Sequence, residues 1–329
     1  MGTPTTRPAT LDDVARAAGV SRATASRVLG GYGFASPDAR DRVTAAADRL
    51  GYVANTAARA LVRGAGVRLV VVVSGADATV LDDPYVDRVV SAAARVCAPQ
   101  GVGVALEWLP LTAPAGLRRL GEDRSVCGML LVNTTAAVLA EVPARLRGRV
   151  ASIGTGSPAV PSFDVDNAAG AEAVLRHLYA GDRRRIAMVT GPRWLACAER
   201  SVTVYQTLMR AAGLPVRLVT GDFTADRGGP AALEALTRWP DTDAIYAASD
   251  ATALGVIAAL RGRGYRVPHD VAVAGFDDIP YAAVSSPTLT TATHPVARIA
   301  TAAATAVLHG RRMPPVTAFP SRLVARESA

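Results

Sequence analysis

Thr10-Leu11-Asp12-Asp13-Val14-Ala15-Arg16-Ala17-Ala18-Gly19-Val20-Ser21-Arg22-Ala23-Thr24-Ala25-Ser26-Arg27-Val28-Leu29 is the stretch on which the reading of this chain turns. Thr10 and Asp13 have the spacing of a capping box, with Asp in place of Glu, so a helix is predicted to begin at Leu11. Gly19 suits a left-handed C-cap, and Ser21 offers a hydroxyl to cap a second helix over 22–29. Leu11, Val14, Ala15, Ala18, Val20, Ala25, Val28 and Leu29 can form one small core, which leaves Arg22, Ala23, Ser26 and Arg27 facing outward. That is helix-turn-helix patterning. A third helix is marked by Ser36 as N-cap, Pro37 at the first position, apolar Val43, Ala46, Ala47 and Leu50, and Gly51 as stop.

The 329 residues exceed what one hydrophobic core usually serves, so a small unit and a large one are expected. Half of the residues are hydrophobic and only 5% aromatic, which suits buried parallel strands alternating with Ala-rich helices. All 36 basic residues are Arg, and the net charge is +8. Residues 1–64 hold nine Arg against five Asp, a net +4, so the head is the basic part and favours a polyanionic partner. Cys97, Cys127 and Cys197 are too far apart for a disulfide framework or a zinc cluster. Residues 1–8 lack an apolar signal core, and the apolar run 69–73 is too short to cross a bilayer, so the expected location is the cytoplasm, with no membrane partner.

The run 11–29 resembles the DNA-reading head of the lactose-repressor/galactose-repressor (LacI/GalR) family of bacterial regulators. The likeness continues through Ser36-Pro37, Ala39-Arg40, Val43, Ala46-Ala47 and Leu50-Gly51-Tyr52, and into Asn55-Thr56-Ala57-Ala58-Arg59-Ala60-Leu61, which looks like the family's hinge helix. It implies a head over 9–54, a hinge over 55–64, and a double-stranded, pseudo-palindromic operator read by a homodimer. Arg22 and Ala23 would then open the recognition helix at operator-choosing positions. Arg22 can grip O6 and N7 of guanine, a pairing worth about 1 to 3 kcal/mol of discrimination, and Ala23 offers apolar contact. Arg27 would add a later base or backbone contact, while Ser21, Thr24 and Ser26 would bind phosphate. Thr10 joins this set at the start of the first helix. In the hinge, Asn55 and Arg59 complete the contact set, Leu61 would be the minor-groove wedge, and Ala58 is small enough to let two hinge helices approach. For each of these the alternative is a solvated helix face or an ordinary linker. Gly30 departs from the Asn usual in the family.

Beyond residue 64 the pattern becomes β-α alternation. Strands are predicted over 69–73, 103–106, 128–132 and 150–154, with a helix over 85–97. A second series has helices over 168–179 and 252–263 and strands over 186–190, 217–220, 244–247 and 271–274. The fold class is therefore a three-helix head with a hinge helix, followed by a two-lobed, doubly wound α/β body over 65–329. Its N-terminal lobe would span about 67–163 plus 293–322 and its C-terminal lobe about 164–292, with ligand between them at the carboxyl ends of the strands.

Asp164-Val165-Asp166-Asn167, Gly191-Pro192, the run 248–255, Val267-Pro268-His269-Asp270-Val271, Gly275-Phe276-Asp277-Asp278 and the run 287–291 resemble the family's periplasmic-binding-protein-like effector domain. That likeness implies a small-molecule effector, a sugar or sugar derivative, held by Asp83, Arg200, Phe223, Asp250, Asp277 and His294. Asp250 matches a position that hydrogen-bonds ligand hydroxyls, its alternative being an N-cap for a helix from Ala251. Asp83 has the alternative of capping the helix that Pro84 starts. Arg200 stands one residue before the family's usual register, where this chain has Ser201; either a local bulge restores it to the cleft or the effector is unusual.

The same residues argue against other classes. There is no Walker or dinucleotide phosphate loop and no Gly-x-Ser-x-Gly elbow, and the four His are scattered without metal-ligand spacing. No enzyme, cofactor or metal is expected. A transport receptor with the same body would need an export signal where the helix-turn-helix lies.

Overall fold

The computed structural model describes residues 9–30, 34–52, 67–310 and 313–329. They fall into two compact units, divided between Gly64 and Ala65. Asn55, Ala58, Arg59 and Leu61 lie outside the described residues.

In the head, α1 (Leu11–Ala18), α2 (Arg22–Gly30) and α3 (Pro37–Arg49) enclose one core. The α1 capping box is reciprocal: the Asp13 amide donates to the Thr10 hydroxyl at 3.3 Å and the Thr10 amide to the Asp13 carboxylate at 3.0 Å. Gly19 follows at φ 63°, in the left-handed region. Val14, Ala15, Ala18, Ala25, Val43, Ala46 and Ala47 are buried, with Leu11, Val20, Val28 and Leu29 packed against them. Leu50, read as an apolar position of the third helix, is exposed, because α3 has ended and Leu50 is already its C-cap; Tyr52 packs against the core instead.

The body begins with a six-stranded parallel sheet in the order β11-β5-β4-β3-β1-β2. Its strands are β1 (Arg68–Gly75), β2 (Gly103–Pro110), β3 (Val126–Val132), β4 (Val150–Ile153), β5 (Ser162–Val165) and β11 (Val316–Phe319). Strand β3 is buried throughout, as helices on both faces of a parallel sheet demand. Among those helices are α4 (Pro84–Cys97), short α5 (Gly116–Glu122) and α6 (Ala136–Ala140), and α11 (Val296–His309), which packs on α4.

The second lobe carries the sheet β7-β6-β8-β9, formed by β6 (Ile186–Val189), β7 (Leu218–Val219), β8 (Ala244–Ala247) and β9 (Ala272–Ala274). Its helices are α7 (Asn167–Ala180), α8 (Ala196–Ala211), α9 (Ala225–Arg238) and α10 (Asp250–Gly262). A short antiparallel pair, β10 (Thr291–Ala292) with β12 (Leu323–Val324), runs where the chain crosses between the lobes. Strand β5 pairs with β11 through its whole length, to Val165, and with β4 at Ser162 and Phe163, so this sheet continues two residues past 163.

Helices α9 and α10 approach closely because glycines face each other across the contact. A Cβ on Gly255 would stand 2.1 Å from the Ala225 carbonyl oxygen, and one on Gly228 would stand 2.3 Å from that of Thr252. Both neighbours are backbone and cannot swing aside. Gly255→Val is therefore expected to destabilise the body by about 1 to 3 kcal/mol through overpacking. Denaturant unfolding should show a lower midpoint with an unchanged slope.

Candidate effector cleft and DNA-reading face

On the head, α2 presents its polar side. The Arg22 side chain is 71% exposed and only loosely paired, at 3.4 Å, with Asp12, itself exposed, a contact that costs little to exchange for a base edge. Ala23 and Ser21 are exposed beside it, while Thr24 and Ser26 are half-buried. The Ser21 hydroxyl accepts from the Thr24 amide at 3.1 Å and so caps the helix. Arg27 lies along its own helix, its guanidinium donating to the Ala23 carbonyl, the Thr24 hydroxyl and the Phe34 carbonyl at 3.3 to 3.4 Å. Thr10 differs from the others: its hydroxyl is committed to Asp13 at 2.6 Å, which makes it first a cap.

In the body, loops from the carboxyl ends of both sheets enclose a cleft with two compartments. The inner chamber, of about 70 Å³, is walled by Tyr85, Thr134, Asp164, Asn167, Phe276 and His294 among others. It shares Asp83, Asn133 and Phe223 with an outer chamber of about 550 Å³, which Trp194 and Tyr281 flank. Asn133, Phe223 and Asp277, all on this wall, have φ of 56°, 75° and 119°. Such left-handed backbone in non-glycine residues costs roughly 1 to 3 kcal/mol each and persists where the surrounding structure enforces it. Phe223 sits close because Gly191 leaves room: a Cβ there would be 2.3 Å from the phenyl ring.

The back of the inner chamber is a coupled pair. His294 Nδ1 lies 3.0 Å from an Asp277 carboxylate oxygen, and the imidazole packs on Tyr85 and Phe276 with ring centroids 5.0 and 6.1 Å away. Burial drives both partners toward neutrality, lifting the Asp277 carboxyl to about 8 and lowering the imidazole to about 4. Arg88, from α4 in the other lobe, donates to the Asp277 carbonyl at 3.1 Å and to the His294 carbonyl at 3.2 Å, pinning both backbones. His294 Nε2 is buried and has no hydrogen-bond partner among the described residues. A buried donor or acceptor of this kind calls for a polar group from elsewhere.

Asp83, Phe223, Asp277 and His294, expected at the effector site, thus line one chamber. Asp83 also caps α4, accepting from the Tyr85 amide at 2.9 Å, so its two roles coincide. Burial, and then the nearby Asp277 charge, raises its carboxyl to about 6. Two expected residues fall elsewhere. Arg200 stands behind the wall on an unbroken α8, without a bulge, and its guanidinium is paired with Asp164, which does line the chamber. Asp250 is fully buried beneath the cleft rather than in its wall: its oxygens accept from the Thr291 hydroxyl at 2.5 Å and the Ile279 amide at 2.9 Å. Nor does it cap α10; Ser249 does, accepting from the Thr252 amide.

Sequence reasoning gave no role to Asn133, Thr134 or Trp194, and read Cys197 as a small core residue, whereas it lines the chamber. Asn133 and Thr134 directly follow β3, and that position at a strand's carboxyl end was the available signal. Trp194 and Cys197 come from the loop after β6 and the first turn of α8, and carried none.

Comparison with known proteins agrees with this geometry. Residues 10–55 match the family of bacterial regulatory proteins, lacI family, and residues 175–329 match the periplasmic binding protein-like domain. The chain is 36% identical over 309 residues to the HTH-type transcriptional regulator CelR of Thermobifida fusca, covering 88% of each protein. It is 30% identical over 315 residues to the ribose operon repressor of Escherichia coli strain K12, covering 92% of each. Among solved structures, a CelR–cellobiose complex superposes with a TM-score of 0.70 at 29% identity, covering 98% of this chain and all of that one. A lac repressor dimer bound to operator and an anti-inducer superposes at 0.82 with 23% identity, covering 98% and 99%. A helix-turn-helix head, a two-lobed α/β body and similarity that runs through nearly the whole chain place this protein in the lacI family of DNA-binding bacterial transcriptional regulators.

Proposed function

We propose that the chain is a repressor that binds a pseudo-palindromic operator as a homodimer, and that a sugar closing on the cleft of the body changes its operator affinity. The observation that carries the effector half is the inner chamber, where Asp83, Asn133, Asp277 and the unpartnered His294 Nε2 present several hydrogen-bonding groups beside aromatic rings. Hydroxyls bind such groups while the apolar face of a sugar ring lies on Phe223 or Trp194. Relatives support the class: one is a ribose operon repressor, and another was solved with cellobiose. The dimer follows the lac repressor, solved as a dimer on operator.

In this mechanism Arg22 reads bases and Ser21, Thr24, Ser26 and Arg27 set register on phosphates. Asn55, Ala58, Arg59 and Leu61 act from the hinge. The ligand shifts the protein between two states only by its differential affinity for them. Asp250 and Arg200 act from behind the wall, Asp250 by tying the loop at Ile279 to β10 and Arg200 by holding Asp164. No catalytic step is assigned to any residue, and no helix among the described residues is long and apolar enough to cross a membrane.

Selection of operators from randomised duplex DNA, with and without cellobiose or ribose, tests the reading as a whole. A palindrome whose affinity shifts tenfold or more with one sugar is the expected result, and recovery of no sequence would reject it. Arg22→Ala should cost about 1 to 3 kcal/mol at one base position in each half-site, measured by binding to single-substituted operators. Equal loss on all sequences would make Arg22 a phosphate contact. Because an ionised Asp83 is the better acceptor for a ligand hydroxyl, effector affinity should fall as pH drops through about 6. Calorimetric titrations across that range should show the step in the parent protein and its loss in Asp83→Asn.

A further inference from the structure

The sign of charge in the cleft narrows the effector class, an argument that rests on the effector reading above. Asp77, Asp82, Asp222 and Asp226 line the outer chamber, with Asp83 common to both; of the other acids in the inner chamber Asp164 is paired with Arg200, and Asp277, lifted to about 8 by burial, carries little charge at neutral pH. Among the described residues no arginine lines either chamber. The cations nearby are engaged or outside: Arg200 is paired with Asp164, Arg88 is held by two backbone carbonyls, and Arg193 is exposed. The remaining basic group, His294, is uncharged at neutral pH because burial lowers it to about 4.

Helix N-termini are the other usual source of positive potential for an anion. At the cleft, two of these are answered by carboxylates: Asp83 is the N-cap of α4 and Asp226 lies in the first turn of α9. A phosphate or carboxylate entering the cleft would meet Asp83 and the outer-chamber carboxylates with no arginine among the described residues on the wall to offset them, which is selection by repulsion. The acidic groups do not converge on one point either: no cluster of three or more His, Cys, Asp or Glu among the described residues is placed to hold a metal ion. Spread around two chambers, with His294 Nε2 buried and unpartnered between two aromatic rings, they suit a ligand that offers several separate hydrogen-bond donors.

We propose that the effector is a hydroxyl-rich molecule bearing no acidic group, and that an amine in place of one hydroxyl tightens its binding. The carboxylate walls accept from each hydroxyl, and an ammonium adds a charge-assisted bond where the cleft is already negative.

A measurement that needs no ligand tests the field itself. Cys197 lines the inner chamber, whereas Cys97 and Cys127 are buried in the first lobe's core. The full-length protein would be treated with methanethiosulfonate reagents of similar size, one bearing trimethylammonium and one sulfonate, with Cys197→Ser as the blank. Normalised to free cysteine, the cationic reagent should react at least about tenfold faster, and added salt should shrink the ratio. Tyr281→Cys in the Cys197→Ser background gives the same ratio for the outer chamber, whose rim Tyr281 occupies at 59% exposure. Ratios near one at both positions would overturn the proposal.

Calorimetry with cellobiose, the same disaccharide with one 2-hydroxyl replaced by an amine, and cellobiose 6-phosphate then tests the ligand class. The amine should bind about fivefold or more tighter than cellobiose, and the phosphate should not bind. Phosphate binding as tight as cellobiose would overturn the proposal. A high reagent ratio with no binding by any of the three would support the charge selection and reject these disaccharides as effectors.

Discussion

Taking an ionised carboxylate out of water costs several kcal/mol unless hydrogen bonds or an opposite charge replace the lost hydration. The body of this protein accepts that cost repeatedly at the carboxyl ends of its two parallel sheets, and the cleft is organised by how each case is met. Asp250 is satisfied from within, by the Thr291 hydroxyl and the Ile279 amide. Asp164 is met by Arg200 and Asp277 by His294, while Asp83 is met by the start of α4. Burial raises Asp83 and Asp277 above the usual carboxylate range, so the cleft wall holds acidic groups whose hydration has not been fully replaced, and on the proposed function a bound molecule completes it.

The two lobes meet at this same place. Arg88 reaches from α4 to the backbone of Asp277, after β9, and of His294, at the crossover, so a helix of one lobe holds residues that the other lobe's sheet positions. Thr293 continues the connection, its amide donating to Arg322 and its carbonyl accepting from Ser321 in the neighbouring crossing. On the proposed mechanism, closure on a ligand moves elements already joined by polar contacts at the crossover between the lobes. Coupling of this kind needs two discrete arrangements rather than a continuous deformation, because interiors packed as densely as α9 against α10 do not stretch.

The head works by a different economy. Its core is small and made mostly of Ala and Val, and a unit of this size gains much from each local device. The reciprocal box of Thr10 and Asp13, the Ser21 and Ser36 caps and the left-handed Gly19 fix where each helix starts and stops. That precision matters because the direction in which Arg22 leaves the surface is set by the first turn of α2. The same economy explains Thr10, whose hydroxyl serves the cap.

The amino-acid sequence alone determined the head almost to the residue, since caps, turns and helical periodicity are interactions between neighbours three or four positions apart. It also determined the alternating order of the body and most of its longer strands, because strands buried on both faces read as continuous apolar runs. Four-residue β5 between Pro161 and Asp166, and the Ala-rich α9 with its internal glycines and proline, carried no comparable local signal. Tertiary structure alone decided the cleft wall. Asp250 and Asp277 are both acids just beyond strands, yet one is sealed by Thr291, 41 positions away, and the other opens on the chamber beside His294. Arg200 is separated from the ligand space by Asp164 from the opposite lobe, and Asn133, Trp194 and Cys197 join the wall only when distant strand ends meet. Which side of a buried carboxylate faces solvent is a matter of long-range packing, and no spacing of neighbours along the chain encodes it.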